Sequence, residues 1–463
     1  MRGRTTRAAA LALLAFPALA RGEEMAAVAP GNLEGRPPAA EASPLQKLVD
    51  AAPPGAVVTV PPGAYPGDLY LDRPVRLVGQ GRPRLVGSGS GSVVRVRAAD
   101  VTVEGFEIDG VGGGDLGKDS AGVHTSAPRT TVRDCRIVRS LFGVYLREAP
   151  GGVVERVRIE GIPGKDPGEK GSGIHVWNTD GFLFRDNEIV DVRDGFYIQS
   201  SFHGRVEGNV AKNIRYGIHY MFSDDNAFTD NVFENGAAGS AIMYSKRIAF
   251  RRNQFLRNRG FASVGLLFKT CEDVVAESNL LADNARGVFL EDSYRNVFRG
   301  NVVAESDVAI VLYGGCGENR FEGNSFVANL TPLTLVGKRT DTLFDGNYWS
   351  DNDEPDLDGD GRSDRPFRLE NVFDHVRGNL LAADLLTQSF AATALGVAER
   401  ALPVLEHVSA VDRAPLARPP ALPDVPRPSS AGREASLPGL AGSAVALAAG
   451  GLLLGAGRKL PAS

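Results

Sequence analysis

Apolar and polar positions repeat with one period along the middle of the chain, from Gly173 to Trp349. An Asn recurs at steps of 22, 22, 22, 26, 22, 23 and 23 residues, and in most repeats an apolar residue follows two positions later. These positions are Asn187, Asn209, Asn231, Asn253, Asn279, Asn301, Asn324 and Asn347. A Gly lies 14 residues before each of the first six. Two residue types that share one period indicate a solenoid of about 22 residues per turn.

The pattern predicts an all-β chain folded as a right-handed parallel β-helix. Parallel strands on successive coils pair their backbones along the axis, so equivalent residues stack about 4.8 Å apart. The eight Asn side chains are expected to form an amide ladder inside a repeated bend, which is a structural role. Weaker turns come before, in which Phe106, Cys135 and Val157 hold the Asn position.

The flanking segments predict an exported chain with several parts. Three Arg, an apolar run and Ala18-Leu19-Ala20 are typical of a secretory signal peptide. A short helix after Pro44 is expected to cover the open end of the first coil. The uncharged stretch 437–456, followed by Arg458-Lys459, is long enough to cross the inner membrane; a C-terminal sorting signal is the alternative. The predicted parts are a signal peptide (1–20), a flexible leader (21–43), the β-helix (44–378), a helical extension (379–412), a Pro/Ala-rich linker (413–436) and a single membrane anchor (437–460).

Composition narrows the possible functions. The formal net charge is −5 and is spread along the chain, so nothing points to nucleic acid. The chain has three Cys and no CxxC pair, which argues against a disulfide scaffold or a structural zinc site. Cys271 and Cys316 lie two coils apart and are expected to be buried structural thiols.

The strand after the repeated Gly places one set of side chains inside the coil and the alternate set outside. The inner set is apolar, from Ile174 and Val176 onward. The outer set is unusual for a soluble coil because it contains His, Trp, Tyr and Met instead of mostly polar residues. Its members include His175, Trp177, Tyr197, His219, Met221 and Met243.

Three interpretations of this outer set stay open. His219 and Met221 are two residues apart on one face, and Met243 lies one coil further. Together with His175, these imidazole and thioether groups suit Cu(I). A partner or substrate surface that includes Trp177 and Tyr197 is the second interpretation. Simple coverage by a loop such as 162–170 is the third. His124 and His203 are expected on solvated turns.

An acidic loop follows the last repeat. Asp356, Asp358, Asp360 and Asp364 stand at positions 1, 3, 5 and 9 of a calcium-loop pattern, with Gly361 at position 6. Position 12 is Phe367 instead of the usual bidentate Glu. A weak structural calcium site is predicted, with an acidic loop that only closes the last coil as the alternative.

At this point the chain resembles the NosD family, the periplasmic β-helix components of nitrous-oxide-reductase maturation. The resemblance covers residues 44–418. It rests on turns such as the one from Gly217 to Phe233, on the closing Asn-Tyr-Trp-Ser-Asp at 347–351, on the Asp-rich motif ending at Phe367, and on Ala-Glu-Arg-Ala-Leu-Pro-Val-Leu at 398–405.

The resemblance implies a periplasmic accessory protein and not an enzyme. It implies docking on the permease of an ABC transporter whose ATPase supplies the energy, and work with a copper chaperone and nitrous-oxide reductase itself. The alternative is an extracytoplasmic β-helix that binds or cleaves polysaccharide. Against cleavage, the outer face offers only Lys269 and Glu291, which are expected to form a surface ion pair.

Overall fold

The computed structural model describes residues 42–114, 119–260, 262–336, 340–369 and 410–421. The predicted signal peptide (1–20), nearly all of the leader (21–43), most of the helical extension (379–412) and the membrane anchor (437–460) lie outside these ranges. Inside them, no helix has the length and hydropathy needed to cross a membrane.

Within the described ranges the elements are one α-helix, one short 3-10 helix (Pro167–Glu169) and 38 strands. The α-helix is α1 (Pro44–Ala51). The strands are β1 (Ala56–Val60), β2 (Ala64–Pro66), β3 (Leu69–Leu71), β4 (Val75–Gly79), β5 (Arg84–Val86), β6 (Val94–Val96), β7 (Thr102–Glu104), β8 (Glu107–Asp109), β9 (Ala121–Thr125), β10 (Thr131–Arg133), β11 (Arg136–Val138), β12 (Phe142–Arg147), β13 (Val153–Glu155), β14 (Arg158–Glu160), β15 (Ile174–Trp177), β16 (Leu183–Arg185), β17 (Glu188–Val190), β18 (Asp194–Gln199), β19 (Arg205–Glu207), β20 (Val210–Met221), β21 (Ala227–Thr229), β22 (Val232–Lys246), β23 (Ala249–Arg251), β24 (Gln254–Leu256), β25 (Val264–Glu272), β26 (Val275–Glu277), β27 (Leu280–Ala282), β28 (Arg286–Glu291), β29 (Val297–Arg299), β30 (Val302–Ala304), β31 (Val308–Tyr313), β32 (Arg320–Glu322), β33 (Ser325–Val327), β34 (Thr331–Val336), β35 (Leu343–Asp345), β36 (Tyr348–Trp349), β37 (Phe367–Arg368) and β38 (Val411–Asp412).

These strands build a parallel β-helix, as the sequence predicts. One sheet takes one strand from each coil, from β1 and β4 through to β35. The second sheet has two arms that meet at a bend, and β20 and β22 run through that bend without a break. We call the arm formed by β9, β12, β15, β18, the second halves of β20 and β22, β25, β28, β31 and β34 the third face. It follows the repeated Gly and carries the outer side chains singled out above.

The repeated Gly is required by close approach of neighbouring coils. A Cβ at Gly195 would lie 2.7 Å from the carbonyl oxygen of Gly217 and 2.9 Å from the Cβ of Ala211. Each Gly of the row stands at the bend where the backbone of the next coil passes directly over it. The 14-residue offset between Gly and Asn therefore marks two corners of one coil.

The amide ladder forms as predicted. All eight Asn are buried, and successive Asn are joined by hydrogen bonds from one coil to the next. Asn187, for example, donates from its backbone N–H (3.0 Å) and its Nδ2 (2.8 Å) to Oδ1 of Asn209. The last member, Asn347, donates in the same way to Oδ2 of Asp412, at 2.9 Å for both bonds. Asp412 thus ends the ladder in place of a ninth Asn.

At both ends of the solenoid, another part of the chain takes the hydrogen-bonding place of a further coil. At the N-terminal end, Gln46 of α1 accepts a hydrogen bond from the N–H of Tyr70 (2.7 Å) and donates one to its carbonyl oxygen (2.9 Å). At the C-terminal end, β38 pairs in parallel with β35 and antiparallel with β37. Val411 and Asp412, which the sequence assigned to the end of the helical extension, therefore belong to the sheet.

The three Cys are free and buried, which confirms the expectation for Cys271 and Cys316. Burial raises the pKa of Cys271 to about 12, so the thiol stays protonated. Its register partner on the preceding coil is Ser245, and its backbone N–H donates to Oγ of Ser293 at 3.0 Å. Cys271 thus takes one place in a ladder of serines at a corner.

Candidate functional site

The third face carries a continuous column of aromatic side chains on its outer side. His124, Tyr145, His175, Tyr197 and His219 occupy the same register position on five consecutive coils. The register confirms the outer positions assigned to His175, Tyr197 and His219. It also adds His124 and Tyr145, which the sequence analysis missed.

The rings of this column contact one another from coil to coil, stacked in two pairs and edge-on in the other two. Ring centroids are 4.9 Å apart for His124 and Tyr145, 4.4 Å for Tyr145 and His175, 4.3 Å for His175 and Tyr197, and 4.8 Å for Tyr197 and His219. These distances lie in the range of favourable aromatic pairs. The column is therefore one packed array, and replacing one ring disturbs its two neighbours.

Most of the column is shielded from water. Tyr145 and Tyr197 are each 6% exposed, and His175 is 8% exposed. His124 is 5% exposed and lies on β9, so its expected place on a solvated turn is wrong. By contrast His203, on a turn, is well exposed and its Nδ1 lies 2.6 Å from Oδ1 of Asp180.

Burial keeps two of the imidazoles neutral. Desolvation lowers the pKa of His124 to about 4 and that of His175 to about 3. His124 Nε2 and His175 Nδ1 are buried without a hydrogen-bond partner. A buried polar atom left unpaired costs free energy, so these positions are not explained by stability alone.

His219 differs because it stands at the edge of the shielded region. Its Nδ1 lies 3.3 Å from Oδ2 of Asp194 and 3.4 Å from Nη2 of Arg215. Burial acts to raise the pKa of Asp194, but its hydrogen bonds with His219 and Arg215 outweigh that effect and lower the pKa below its usual range. Because Nδ1 of His219 faces these two side chains, Nε2 is the ring nitrogen left for a ligand.

A second outer column runs two residues further along the strands. Its members on successive coils are Trp177, Gln199, Met221, Met243, Lys269 and Glu291. Met221 and Met243 are half-buried register partners on adjacent coils, and Met221 shares strand and face with His219. These three side chains form one set at the solvent edge, which we call the His–Met set. Lys269 and Glu291 form the expected ion pair, at 3.0 Å.

The structure separates the remaining predicted residues from the His–Met set. His175 lies two coils from His219, about 9.6 Å along the axis, with the ring of Tyr197 between them. The same ion cannot contact both. Trp177 is half-buried beneath Arg147, whose guanidinium carbon is 5.2 Å from the ring centroid. Tyr197 donates from its hydroxyl to Oε1 of Gln199 at 2.8 Å.

An exposed aromatic pair borders the His–Met set. Phe222 and Tyr244 follow Met221 and Met243 directly, are 52% and 44% exposed, and stack at 5.1 Å. Both have left-handed backbone, with φ of 51° and 52°. The same turn on adjacent coils holds Ser200 and Thr270, which are smaller. A bulky residue is uncommon in this conformation, so the fold alone does not call for aromatic side chains here.

The acidic loop brings three of its four predicted ligands together. Carboxylate oxygens of Asp356, Asp358 and Asp360 lie within 4.8 Å of one another. Asp356 accepts hydrogen bonds from the N–H groups of Gly359 (2.7 Å) and Gly361 (3.0 Å), which fold the loop. Asp364 accepts from the N–H of Leu357 at 2.6 Å and so helps to close the loop.

Solved structures of other proteins share the fold. A polysaccharide lyase, the PL6 alginate lyase in complex with a trisaccharide, matches with a TM-score of 0.54 over 66% of this chain and 82% of its own. The alginate lyase AlyF-OU02 matches with a TM-score of 0.53 over 66% and 81%. Both are only 15% identical in sequence, so the likeness shows the fold alone.

Sequence comparisons identify the family to which the chain belongs. Residues 155–354 match the family described as periplasmic copper-binding protein (NosD). A Pseudomonas aeruginosa protein named probable ABC transporter binding protein NosD is 30% identical over 381 residues, which cover 79% of this chain and 89% of the relative. A Stutzerimonas stutzeri protein of the same name is 28% identical over 380 residues, covering 78% and 86%. The chain belongs to the NosD family.

Proposed function

We propose that this protein is a periplasmic accessory factor that docks on an ABC transporter and takes part in assembling the copper centres of nitrous-oxide reductase. The family description and the names of the two relatives support the periplasm, copper and the transporter. A copper chaperone and nitrous-oxide reductase itself are the further partners that we propose. In this role the protein receives and passes on copper and does not catalyse a reaction.

The observation that carries this proposal is the His–Met set. Met221 and Met243 stand about 4.8 Å apart on adjacent coils, with His219 beside Met221. Two thioethers and one imidazole are the soft and intermediate ligands that suit Cu(I). Because all three side chains lie at the edge of the shielded column, a bound ion would stay within reach of a partner. We therefore propose His219, Met221 and Met243 as the copper ligands.

We propose that His175 helps to position His219 and does not bind the copper ion itself. Its ring stacks on Tyr197, and Tyr197 in turn contacts His219 edge-on, with an interplanar angle of 84°. The column thus fixes the position of the imidazole in the His–Met set. Rigid support of this kind lowers the cost of bringing ligands together around an ion.

We propose the exposed rim beside the His–Met set as the partner-binding surface. Phe222 and Tyr244 place two large aromatic surfaces next to the thioethers, at a backbone cost of about 1–2 kcal/mol each. Such aromatic anchors often supply most of the binding energy of an interface. Trp177 lies two coils from Met221 in the second outer column and extends this surface.

Copper titration tests the ligand proposal. Cu(I) competition with a chromogenic chelator is measured for the exported protein and for the variant His219→Gln/Met221→Leu/Met243→Leu, in which volume is nearly conserved. We expect the variant to lose at least about tenfold in affinity, since each lost ligand weakens the site. Lys269→Leu, one coil away in the same column, is the matched control. Equal affinities for the wild type and the triple variant contradict the site.

Partner binding is tested separately. The variant Phe222→Ser/Tyr244→Ser copies the residue found at the same turn in Ser200. We expect it to fold normally and to lose co-purification with the transporter permease, whereas Tyr294→Ser, at another exposed aromatic, keeps it. Unchanged co-purification of the double variant contradicts the proposed rim.

Calcium is proposed only as a structural ion of the acidic loop. Carboxylates of Asp356, Asp358 and Asp360 converge, and Asp364 closes the loop nearby. Oxygen ligands on alternate residues suit a hard cation such as Ca²⁺. Without a bidentate Glu at the twelfth position, we expect weak binding.

A further inference from the structure

The sheet that takes one strand from each coil carries a column of alternating charges on its outer side. We call this sheet the first sheet. The third residue of each strand from β10 to β32 stands in one register column, over nine consecutive coils. The members of this charge column, in order, are Arg133, Glu155, Arg185, Glu207, Thr229, Arg251, Glu277, Arg299 and Glu322. Positive and negative side chains take turns, and one neutral residue, Thr229, lies in the middle.

Ion pairs within the chain explain the alternation on each side of Thr229 but not the break at it. Arg185 lies 2.6 Å from Glu155, and Arg299 lies 3.0 Å from Glu322. A column that served only such pairs would continue through the middle coil with a basic residue, and the coil after it would then be acidic. Instead, the order of the signs shifts by one coil at Thr229. The break therefore asks for a reason outside the single chain.

The two charges beside the break have weak partners within the chain. Glu207 lies 3.7 Å from Arg205, two residues away on the same strand, and Arg251 lies 3.5 Å from Glu277. The side chains of Glu207 and Arg251 are 33% and 45% exposed. Ion pairs this long at a protein surface contribute little to stability. Glu207 and Arg251 can therefore pair with charges on a second molecule.

The order of the signs is complementary to itself when it is reversed. Reversal about Thr229 places Arg133 against Glu322, Glu155 against Arg299, Arg185 against Glu277 and Glu207 against Arg251, which are opposite charges in every case. The neutral Thr229 then meets its own copy. A reversal centred on Glu207 or Arg251 would set a charge against itself, which is unfavourable. Like charges meet only beyond these nine coils, where Glu104 comes to face Asp345.

The neighbouring outer column matches under the same reversal. It consists of the first residues of the same strands, and its half-buried apolar members are Val153, Leu183, Ala227, Ala249, Val275 and Val297. Reversal about the coil of Thr229 places Leu183 against Val275 and Val153 against Val297. Ala227 meets its own copy, and the long side chain of Arg205 lies over the small Ala249. Apolar surface that is half-exposed in one chain is thus buried against apolar surface of another.

The area of this face agrees with that of a stable interface. Nine coils span about 38 Å along the axis, and a three-residue strand with one flanking residue on each side is about 16 Å wide. The product is about 600 Å² per copy, at the lower end of the range of about 600–1,000 Å² per partner in stable complexes. We therefore expect a dissociation constant in about the micromolar range.

We propose that two copies of this chain pair face to face through the outer sides of their first sheets, with antiparallel solenoid axes. The two-fold axis runs along the strand that contains Thr229, so each contact between the copies occurs twice. The charge column sets the register, because shifting one copy by a single coil brings like charges together. The His–Met set lies on the third face, so this pairing does not depend on copper binding.

Exchange of the two charges beside Thr229 tests the pairing by sedimentation velocity of the purified exported protein, from nanomolar to high micromolar concentration. We expect a reversible dimer. Arg251→Glu faces Glu207 of the other copy and should weaken it at least about tenfold, whereas Glu207→Arg/Arg251→Glu should restore it to within about threefold. Within one chain, the exchange puts like charges beside Arg185 and Glu277, so a purely internal column predicts no rescue. A wild type that stays monomeric, or a double variant no better than Arg251→Glu, overturns the proposal.

Cross-linking gives a second readout that leaves the charges in place. The three native Cys are buried, so Thr229→Cys supplies an accessible thiol on the two-fold axis. We expect a short bismaleimide to join two chains through it. Arg185→Cys, in the same column, is the matched control, because its two copies would stand four coils or about 19 Å apart. Equal yields of linked chains for the two variants contradict the pairing.

Discussion

Replacing Asp412 by Ala should release the last coil of the solenoid. The Asp412 carboxylate accepts four hydrogen bonds from the last coil: from the N–H groups of Gly346 (3.1 Å) and Asn347 (2.9 Å), from Nδ2 of Asn347 (2.9 Å) and from Nε1 of Trp349 (3.0 Å). A fifth comes from the N–H of Ala414 (3.3 Å). Asp412, Asn347 and Trp349 are all buried. At about 1–3 kcal/mol for each buried donor left without a partner, and with some relaxation, we expect a loss of about 4–6 kcal/mol.

The loss should be local, because each coil of a solenoid contacts mainly its neighbours. Trp349 reports on the last coil by fluorescence when the other Trp is removed by Trp177→Phe. In urea, Asp412→Ala should lower the midpoint of the Trp349 transition by at least about 1 M. The main circular-dichroism transition of the remaining coils should move much less.

Asp412→Asn is the matched control. An Asn at this position can offer one amide oxygen to Asn347, as Asn347 itself does to Asn324 at 3.0 and 2.8 Å. We expect it to keep more than half of the stability that Asp412→Ala loses. The reasoning is refuted if the Trp349 midpoint of Asp412→Ala equals that of the parent, or if the two substitutions are equally damaging.

Three further predictions concern the column, the loop and the Gly row. His124 and His175 are neutral in the folded protein and titrate near pH 6.5 when unfolded, so the unfolded state binds more protons below that pH. The free energy of unfolding should therefore fall by about 2 kcal/mol per His between pH 7 and pH 5. Denaturant titrations at the two pH values should show a smaller decline for His124→Phe/His175→Phe. Millimolar Ca²⁺ should raise the thermal midpoint of the wild type but not that of Asp358→Asn. Equal shifts in the two proteins would contradict calcium binding by the acidic loop. Gly195→Ala should cost at least about 2 kcal/mol in urea unfolding because its Cβ would press on the Gly217 carbonyl; an unaffected midpoint would contradict the close approach.

The repeat made the fold and the register predictable from the sequence. The Asn steps fixed the coil length, and the Gly that precedes each of the first six Asn fixed which strand residues face inward. From that register His219, Met221 and Met243 could be placed together on the outer side. This works because a parallel coil repeats one local geometry, so one aligned residue determines the position of its neighbours.

The extent and the burial of the column were not predicted. A usable signal existed for its extent: Gly143 lies 14 residues before Val157, and Tyr145 follows Gly143 as His175 follows Gly173. Burial of His124 and His175 is different, because it depends on what packs on the outer face and not on the repeat. Asp412 was missed for a similar reason, since the residues that separate it from Asn347 carry no repeat to align it.

The central claim, that this chain helps to assemble copper centres through its His–Met set, is tested most directly in cells. The copper content of nitrous-oxide reductase is measured in a strain that lacks this protein and receives the wild type, His219→Gln/Met221→Leu/Met243→Leu or Lys269→Leu. We predict copper-loaded enzyme with the wild type and with Lys269→Leu, and copper-deficient enzyme with the triple variant produced at the same level. Full copper loading with the triple variant would contradict the claim.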